Sequence, residues 1–481
     1  MPVHSDPDAP TGTVRWSEIL NRRYGPSLLL VCLGVWLHAA DSLVVATKMP
    51  AIIAEIGGAD LVAWNVSLYE IGSIVAGAAS GLLSLRYGIR NPMSVAALLF
   101  AVGCLTSVAA PTMPVMLLGR LLQGLGGGGL VSLSFVAVGL LFPKRLIARA
   151  MAAISTLWGI SAFLGPLAGG FFVEFFTWRI GFMFFAVQAL LLALWIRFGA
   201  RDFGSGKSKA EGGSFPVMRL MCLCAGVVLI AYGGIDVSPV KTGILIAAGL
   251  AMLGAFLAID ARKDADRLLP MRPFDLRRPA GAALLMILAF SAGTIAITAY
   301  GPLLVTMLHD TSALTAGYIV ACSSIGWTVV AVSVSGFSER HDPTLIAGGM
   351  LLVTASIFGF AWSVPNGPVW LIAVISFVEG GGFGMAWTFI LRRTTAFAPA
   401  ADTERVAAAI PTVQRFGYAV GAAYAGIVAN ATGFGANAPT ETLSASAMIL
   451  FLACLPLAAV GLVAMAAFIR PPVARPVPGD A

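Results

Sequence analysis

Apolar residues run in long blocks along this chain, separated by short polar stretches. An α-helix needs roughly 20 apolar residues to cross a bilayer. Fourteen such runs can be read, near 26–48, 61–84, 92–110, 113–141, 147–173, 178–197, 218–236, 240–259, 280–305, 314–337, 344–364, 368–391, 404–430 and 443–469. The intervening loops are mostly short, and none is long enough for a soluble domain. The pattern predicts an all-α integral membrane protein with 14 transmembrane helices.

Two runs depart from plain lipid-soluble sequence. Gly159 to Gly170, GISAFLGPLAGG, carries four glycines and Pro166 inside the fifth run. A soluble helix would break there; in a membrane, neighbouring helices re-satisfy the freed backbone groups and small residues let helices approach closely. The expectation is a helix that bends and packs its glycines against the second half of the molecule. The fourth run, LLGRLLQGLGGGG, contains Arg120, and charge inside a membrane is expensive and points to function.

Composition agrees with the runs. The chain is 58% hydrophobic and 11% charged, against roughly 25% charged in soluble domains. The formal charge of +7 does not point to nucleic acid, because the basic residues follow the positive-inside pattern. With the N-terminus inside, 25 of the 30 Lys and Arg fall in cytoplasmic segments (Arg86, Arg90 and Arg340 among them). Lys48, Arg179 and Lys241 fall at the outer side, and Arg120 and Arg415 lie within helices. An even helix count with both termini cytoplasmic fits. The six cysteines all lie in apolar segments and read as packing residues, with no disulfide or zinc context. The N-terminal stretch lacks the apolar core and cleavage site of a signal peptide, so the first helix is expected to be retained.

A weak internal repeat has an offset of 254: Pro114-Val115-x-Leu117 before Gly126–Gly128, and Pro368-Val369-x-Leu371 before Gly380–Gly382, with Arg86 matching Arg340. Parallel six-helix repeats are a transporter arrangement. The expected organisation is a cytoplasmic tail (1–25), an N-terminal six-helix bundle (26–198) and a linker with two inserted helices (199–279). A C-terminal six-helix bundle (280–470) and a cytoplasmic tail (471–481) follow.

Four local patterns then narrow the reading. Helix 1 has Asp41 followed nine residues later by Pro50. The loop after helix 2 reads Gly81-Leu-Leu-Ser-Leu-Arg86-Tyr-Gly88-Ile-Arg90. Helix 4 has Arg120-Leu-Leu-Gln123-Gly124, and helix 5 has Gly159 through Gly165-Pro166 to Gly169-Gly170. Taken in order, with Trp178-Arg179 opening helix 6, they resemble the major facilitator superfamily, in its fourteen-helix drug:proton antiporter group. The resemblance implies two six-helix bundles plus two additional central helices. It also implies an inner-gate role for Gly81, Arg86, Gly88 and Arg90, a proton-coupling role for Arg120, and export rather than import. Departures are Leu85 where the loop pattern has an acid, Ile89 where it has an arginine, Leu43 and Ala46 in helix 1, and Ser161 in helix 5.

The ionisable residues inside the runs are the candidate site. Asp41 lies in the outer half of the helix 1 run, with His38 one turn earlier on the same face. A carboxylate held out of water can exchange protons near neutral pH; the alternative is a static partner for a basic group. For His38 a helix-packing hydrogen bond is an equal reading. Glu70 and Glu379, near the middles of helices 2 and 12, could carry a proton or attract a cation, or simply bond a neighbouring helix. Arg120 needs a counter-charge, for which the resemblance implies helix 1 as the donor. Gln123 is a possible accessory, and Arg415 either anchors structure or meets a substrate anion.

Other readings fail on inspection. Gly206-Lys207-Ser208 suggests a phosphate loop, but Arg201 stands where its first glycine belongs and no strand precedes it. Asn65 and Asn430 open glycosylation triplets but sit within or at the ends of helices. The expected protein is not an enzyme. It is a monomeric, multi-pass exporter of small amphipathic or cationic compounds in a bacterial-type cytoplasmic (inner) membrane. It works by alternating access, needs no cofactor or metal, and has the proton gradient as its energy source. The rivals are a dedicated exporter of one metabolite, lipid-like molecule or siderophore and, more distantly, a non-transporting membrane sensor or enzyme.

Overall fold

The computed structural model describes residues 15–199, 216–263, 267–397 and 402–470. Gly206–Ser208, the basic residues Arg201, Lys207, Lys209 and Arg475, and the outer parts of both tails lie outside the described residues. Among the described residues every regular element is helical. A short turn, Trp16–Ile19, precedes α1 (Gly25–Ile56), α2 (Val62–Tyr87), α3 (Arg90–Val108), α4 (Met113–Leu141), α5 (Lys144–Phe175) and α6 (Trp178–Leu194). Next come α7 (Val217–Tyr232) and α8 (Pro239–Ala261). The second half is α9 (Pro279–His309), α10 (Ala313–Val334), α11 (Asp342–Asn366), α12 (Val369–Ala396), α13 (Thr403–Ala431) and α14 (Thr440–Ile469, interrupted at Cys454).

Among the described residues, 12 helices are long and apolar enough to cross a membrane. A helix satisfies its own backbone polar groups, which hydrocarbon demands, so the chain is a multi-pass membrane protein. The two expected spans outside that count differ in kind. α7 has only 16 residues, and α13 is long but broken by Arg405, Gln414 and Arg415. α13 is shielded instead by protein, packing on α9 and α2.

The halves share one packing plan. α1 packs on α5, α2 on α4, and α3 on both α4 and α6; α9 packs on α13, α10 on α12, and α11 on both α12 and α14. The register of the repeat, however, is not the one the glycine runs suggest. Side chains built at Gly124 and Gly128 would strike Tyr69 and Ser73 of α2, and one at Gly126 would strike Phe100 of α3. The glycines doing the same on α12 are Gly380 and Gly384, against Ser323 and Trp327 of α10, and Gly382, against Gly349 and Val353 of α11. The offset between α4 and α12 is therefore 256 (124 to 380, 126 to 382, 128 to 384), and the starts at Met113 and Val369 agree. The 254 offset still holds between α2 and α10, where Tyr69 answers to Ser323. The triplets Gly126–Gly128 and Gly380–Gly382 are therefore out of structural register by two residues.

One face of the molecule carries the N-terminal residues and the α2–α3 and α4–α5 links; call it proximal. The α1–α2, α5–α6 and α9–α10 links lie on the distal face. The halves meet through α5 with α10 and α2 with α13. The close crossings are distal: Gly170 lies against the Leu314 backbone, Gly317 against the Pro166 carbonyl, and Gly426 against Ala63. Ser67 Oγ donates to the Ala419 carbonyl at 3.0 Å, and Asn430 Nδ2 to the Asp60 carbonyl at 2.9 Å. Further towards the proximal face a Cβ at Gly159 would meet nothing closer than Thr328 Oγ1 at 3.8 Å. Ser155, Thr156, Thr328 and Ser333 are exposed on the proximal parts of α5 and α10, and Thr412 is partly exposed on that of α13. Exposed hydroxyls at membrane depth fit a wet cleft better than lipid, so the cleft between the halves opens proximally.

Two expectations about helices need correction. The Gly159–Gly170 glycines do not all face the second half: Gly165 and Gly169 pack on Ala40, Val44 and Thr47 of α1, and the motif's tight crossings to α10 are at Pro166 and Gly170. The inserted pair is central in sequence only. α7 lies against α13 and α2, and α8 packs on α7 with most of its surface bare.

Candidate functional site: a buried charge cluster in α1 and α4

α1 continues to Ile56, beyond where the apolar run ends, so Asp41 sits near its middle rather than in the outer half. Arg120 reaches it from α4: Nη1 donates to Asp41 Oδ2 at 2.7 Å, with both side chains almost fully buried. The same Nη1 donates to Gln123 Oε1, one turn along α4, and Gln123 Nε2 donates to Ser107 Oγ of α3 at 2.9 Å. Tyr69 of α2 lies flat against the guanidinium, 4.2 Å from ring centroid to Cζ. Its hydroxyl meets His38 Nδ1 at 2.9 Å and donates to the His38 carbonyl at 3.0 Å. His38 also stacks on Tyr69 and meets the edge of Trp158 from α5. Asp41 Oδ1 and Arg120 Nε are buried with no hydrogen-bond partner.

Such a cluster is a poor device for stability alone. Desolvating two charges costs several kcal/mol each, and their attraction often only offsets this. What an incompletely satisfied buried pair does supply is a configuration that can be exchanged for another.

The other candidates are placed elsewhere. Glu70, beside Tyr69 on α2, faces the second half, where Arg415 Nη1 of α13 stands 3.5 Å from its Oε2. Arg415 thereby links the halves. Glu379 on α12 is buried and accepts from Ser323 Oγ at 2.7 Å, with no basic partner among the described residues. Near it Trp327 stacks on Phe383 and meets Trp387, an aromatic wall between α10 and α12. The structure thus brings together Asp41, Arg120, Gln123 and His38, sets Glu70 with Arg415, and leaves Glu379 apart.

In the proximal loop Gly88 has a φ of 72°, which an L side chain rarely adopts, and it ends α2 sharply. Arg90 caps the far end of α6, donating to the Ile196 and Arg197 carbonyls. Gly81 and Arg86 are exposed, and Arg86 lies over the neighbouring Tyr87 ring.

Sequence reasoning missed Tyr69, Ser107 and Ser323, polar residues in apolar helices that only packing joins to charges. It also missed a distal staple, where Trp178 Nε1 donates to Glu55 Oε2 at 2.6 Å and Arg179 pairs with Glu55. Lys48, expected at the outer surface, is instead fully buried.

Comparison with known proteins settles the lineage. Residues 31–422 match the Major Facilitator Superfamily. The chain belongs to that superfamily. It is 31% identical over 464 residues to the probable multidrug-efflux transporter Rv1634 of Mycobacterium tuberculosis, covering 94% of this chain and 96% of that one. It is 26% identical over 375 residues to multidrug resistance protein 3 of Bacillus subtilis, covering 76% and 71%. Among solved structures it resembles a bacterial homologue of the human lysosomal transporter Spinster (TM-score 0.66, 15% identity, 93% of this chain and 98% of that one). The POT family transporter PepTSo is similar in the same way (TM-score 0.65, 14% identity, 95% and 97%). At those identities the likeness concerns the fold. As a superfamily member, the chain is a transport protein, and these relatives are named for drug efflux.

Proposed function

We propose that this superfamily member is a proton-coupled antiporter, exporting small amphipathic or cationic compounds as protons enter. The observation that carries this reading is the Asp41–Arg120 pair, buried and yet incompletely satisfied. A proton drives transport only if it binds one conformation better than the other. A carboxylate held by an arginine in one state and released in the other provides that difference. Glu70 with Arg415 joins the halves, and Glu379 supplies an uncompensated acid for a cationic cargo.

In this reading residues 26–198 and 280–470 are the moving bodies, 199–279 is their linker with two inserted helices, and the protein is a fourteen-helix member of the drug:proton antiporter group. The proximal face is cytoplasmic, as the basic loops favour, so the described state opens inward. The protein works as a monomer in a bacterial-type inner membrane, with no cofactor beyond the proton gradient. Everted vesicles test it: an imposed acid-inside gradient should drive ethidium uptake, and Asp41→Asn should abolish that accumulation. If no imposed pH gradient drives ethidium uptake by the unaltered protein, antiport is refuted.

A further inference from the structure

Lys48 follows Asp41 by two turns of α1, a spacing that returns to the same helix face. Its side chain is fully buried, and Nζ has no hydrogen-bond partner. The stem runs along α6 where Gly181 leaves room: a Cβ there would lie 3.2 Å from Lys48 Cδ and 3.3 Å from Nζ. The amine rests 3.3 Å from the centroid of the Phe182 ring. α5 adds Phe172 beside Gly181, so α5 and α6 face Lys48 with apolar groups. The ionisable neighbours are Asp41 on its own helix, Cys104 on α3 and Arg120 on α4. The Glu55–Arg179 pair at the distal end is already matched.

This region therefore holds one carboxylate and two basic groups. Arg120 keeps its charge at any working pH, and Asp41 balances it. An ammonium at Lys48 would be one buried charge too many, and such charges are costly unless paired. The cluster also holds a matching vacancy, since Asp41 Oδ1 is a buried acceptor with no donor.

Resting on the antiport reading, we propose that Lys48 is a second proton-binding site of the transport cycle, with Asp41 Oδ1 as the acceptor that stabilises its protonated form. When Arg120 leaves Asp41, the amine lone pair takes a proton from water entering on the distal side. The ammonium then replaces the guanidinium as the partner of the carboxylate. When Arg120 returns to Asp41, the ammonium loses its acceptor and gives the proton back to water. Asp41 thus alternates between two cations, one permanent and one removable, and the removable one carries a proton beside the one the carboxylate binds.

The test uses purified protein in proteoliposomes, with ethidium as the cargo probe and an entrapped pH dye reporting protons. Lys48→Met keeps a buried stem without the amine. It is expected to bind ethidium and move it downhill within twofold of the unaltered protein, while gradient-driven accumulation falls at least tenfold and protons moved per ethidium decrease. Lys48→Gln, which keeps a polar end but cannot carry a proton, is expected to do the same and serves if the Met variant fails to fold. Lys48→Arg, a fixed cation, should also lose accumulation. A variant lacking the amine yet keeping the full proton-to-ethidium ratio overturns the proposal while leaving antiport standing. If the unaltered protein shows no gradient-driven accumulation, antiport itself fails and the Lys48 site falls with it.

Discussion

At matching places in the two halves, α4 carries Arg120 and Gln123 while α12 carries Ser376 and Glu379, by the 256 offset that the glycine crossings define. Aligning α1 and α9 on their interior prolines, Pro50 and Pro302, puts Gly293 opposite Asp41 and Tyr300 opposite Lys48. The first half thus holds a charge pair where the second has Gly293 and Ser376. The second half holds a lone acid, bonded to a serine, where the first has an amide. Packing is conserved between the halves and charge is not. An acid already balanced by an arginine exerts little pull on a passing cation, whereas an acid without a cationic partner exerts a large one. In the proposed antiport, this contrast would divide the work, with charge exchange in the first half and cargo attraction in the second.

The severest break of that contrast is Arg120→Ala. It leaves Asp41 buried and unmatched, and removing one partner of a buried pair costs about 3–5 kcal/mol. Thermal unfolding in detergent should show that loss, and gradient-driven ethidium transport should vanish. Adding Asp41→Asn should recover much of the stability but none of the coupling, because the stranded charge is gone while the exchange is not restored. If the double variant is as unstable as the single one, the pair is not the unit described here.

The likeness between the halves can be broken as directly. Gly170 meets the backbone of Leu314 and Gly426 meets Ala63, so Gly170→Val and Gly426→Val each force apart a crossing that cannot yield. Overpacking of this kind costs about 1–3 kcal/mol. Both should loosen the distal contact to a similar degree and slow transport alike. The check is reagent access to single cysteines introduced at the distal ends of α2 and α10. Opening by one variant only would mean that the two crossings are not equivalent.

How much of this could be read from the sequence depended on whether chemistry or distance decided it. The spans were legible because hydrocarbon demands about 20 apolar residues in a row. The Asp41–Arg120 partnership was legible because an intramembrane cation demands a counter-charge and the family resemblance pointed to helix 1 for it. Lys48 was misplaced because its charge closes the apolar run, which looked like the membrane boundary, whereas α1 continues to Ile56 and buries it. The Glu70–Arg415 contact joins residues 345 positions apart, and nothing local in either helix announces it. The repeat was visible but out of register, because runs of adjacent glycines align almost equally well when slid by two.

A milder substitution sharpens the second half of the comparison. Glu379→Gln keeps the shape and removes the charge, so the fold should hold. Losing one attractive charge is expected to weaken ethidium binding by about tenfold, or about 1.4 kcal/mol, with a neutral drug unaffected. Fluorescence titration of both probes decides it, and equal losses for both would make Glu379 structural rather than a cation site.

The smallest expected effect is also the most specific. Ser323 Oγ donates to Glu379 Oε2 at 2.7 Å, and Ser323 is the residue on α10 that answers to Tyr69 on α2. Tyr69 braces the first half's arginine and histidine; Ser323 braces the second half's acid. Ser323→Ala removes one hydrogen bond, worth about 1 kcal/mol, and leaves the carboxyl group itself in place. Cation affinity should fall less than in Glu379→Gln, while gradient coupling persists, since the charge exchange lies in the other half. Combining Ser323→Ala with Glu379→Gln should add little to Glu379→Gln alone, because the hydroxyl acts through that carboxylate. Additive losses would show Ser323 meeting the cargo itself, and would move the cation site from one acid to the α10–α12 seam.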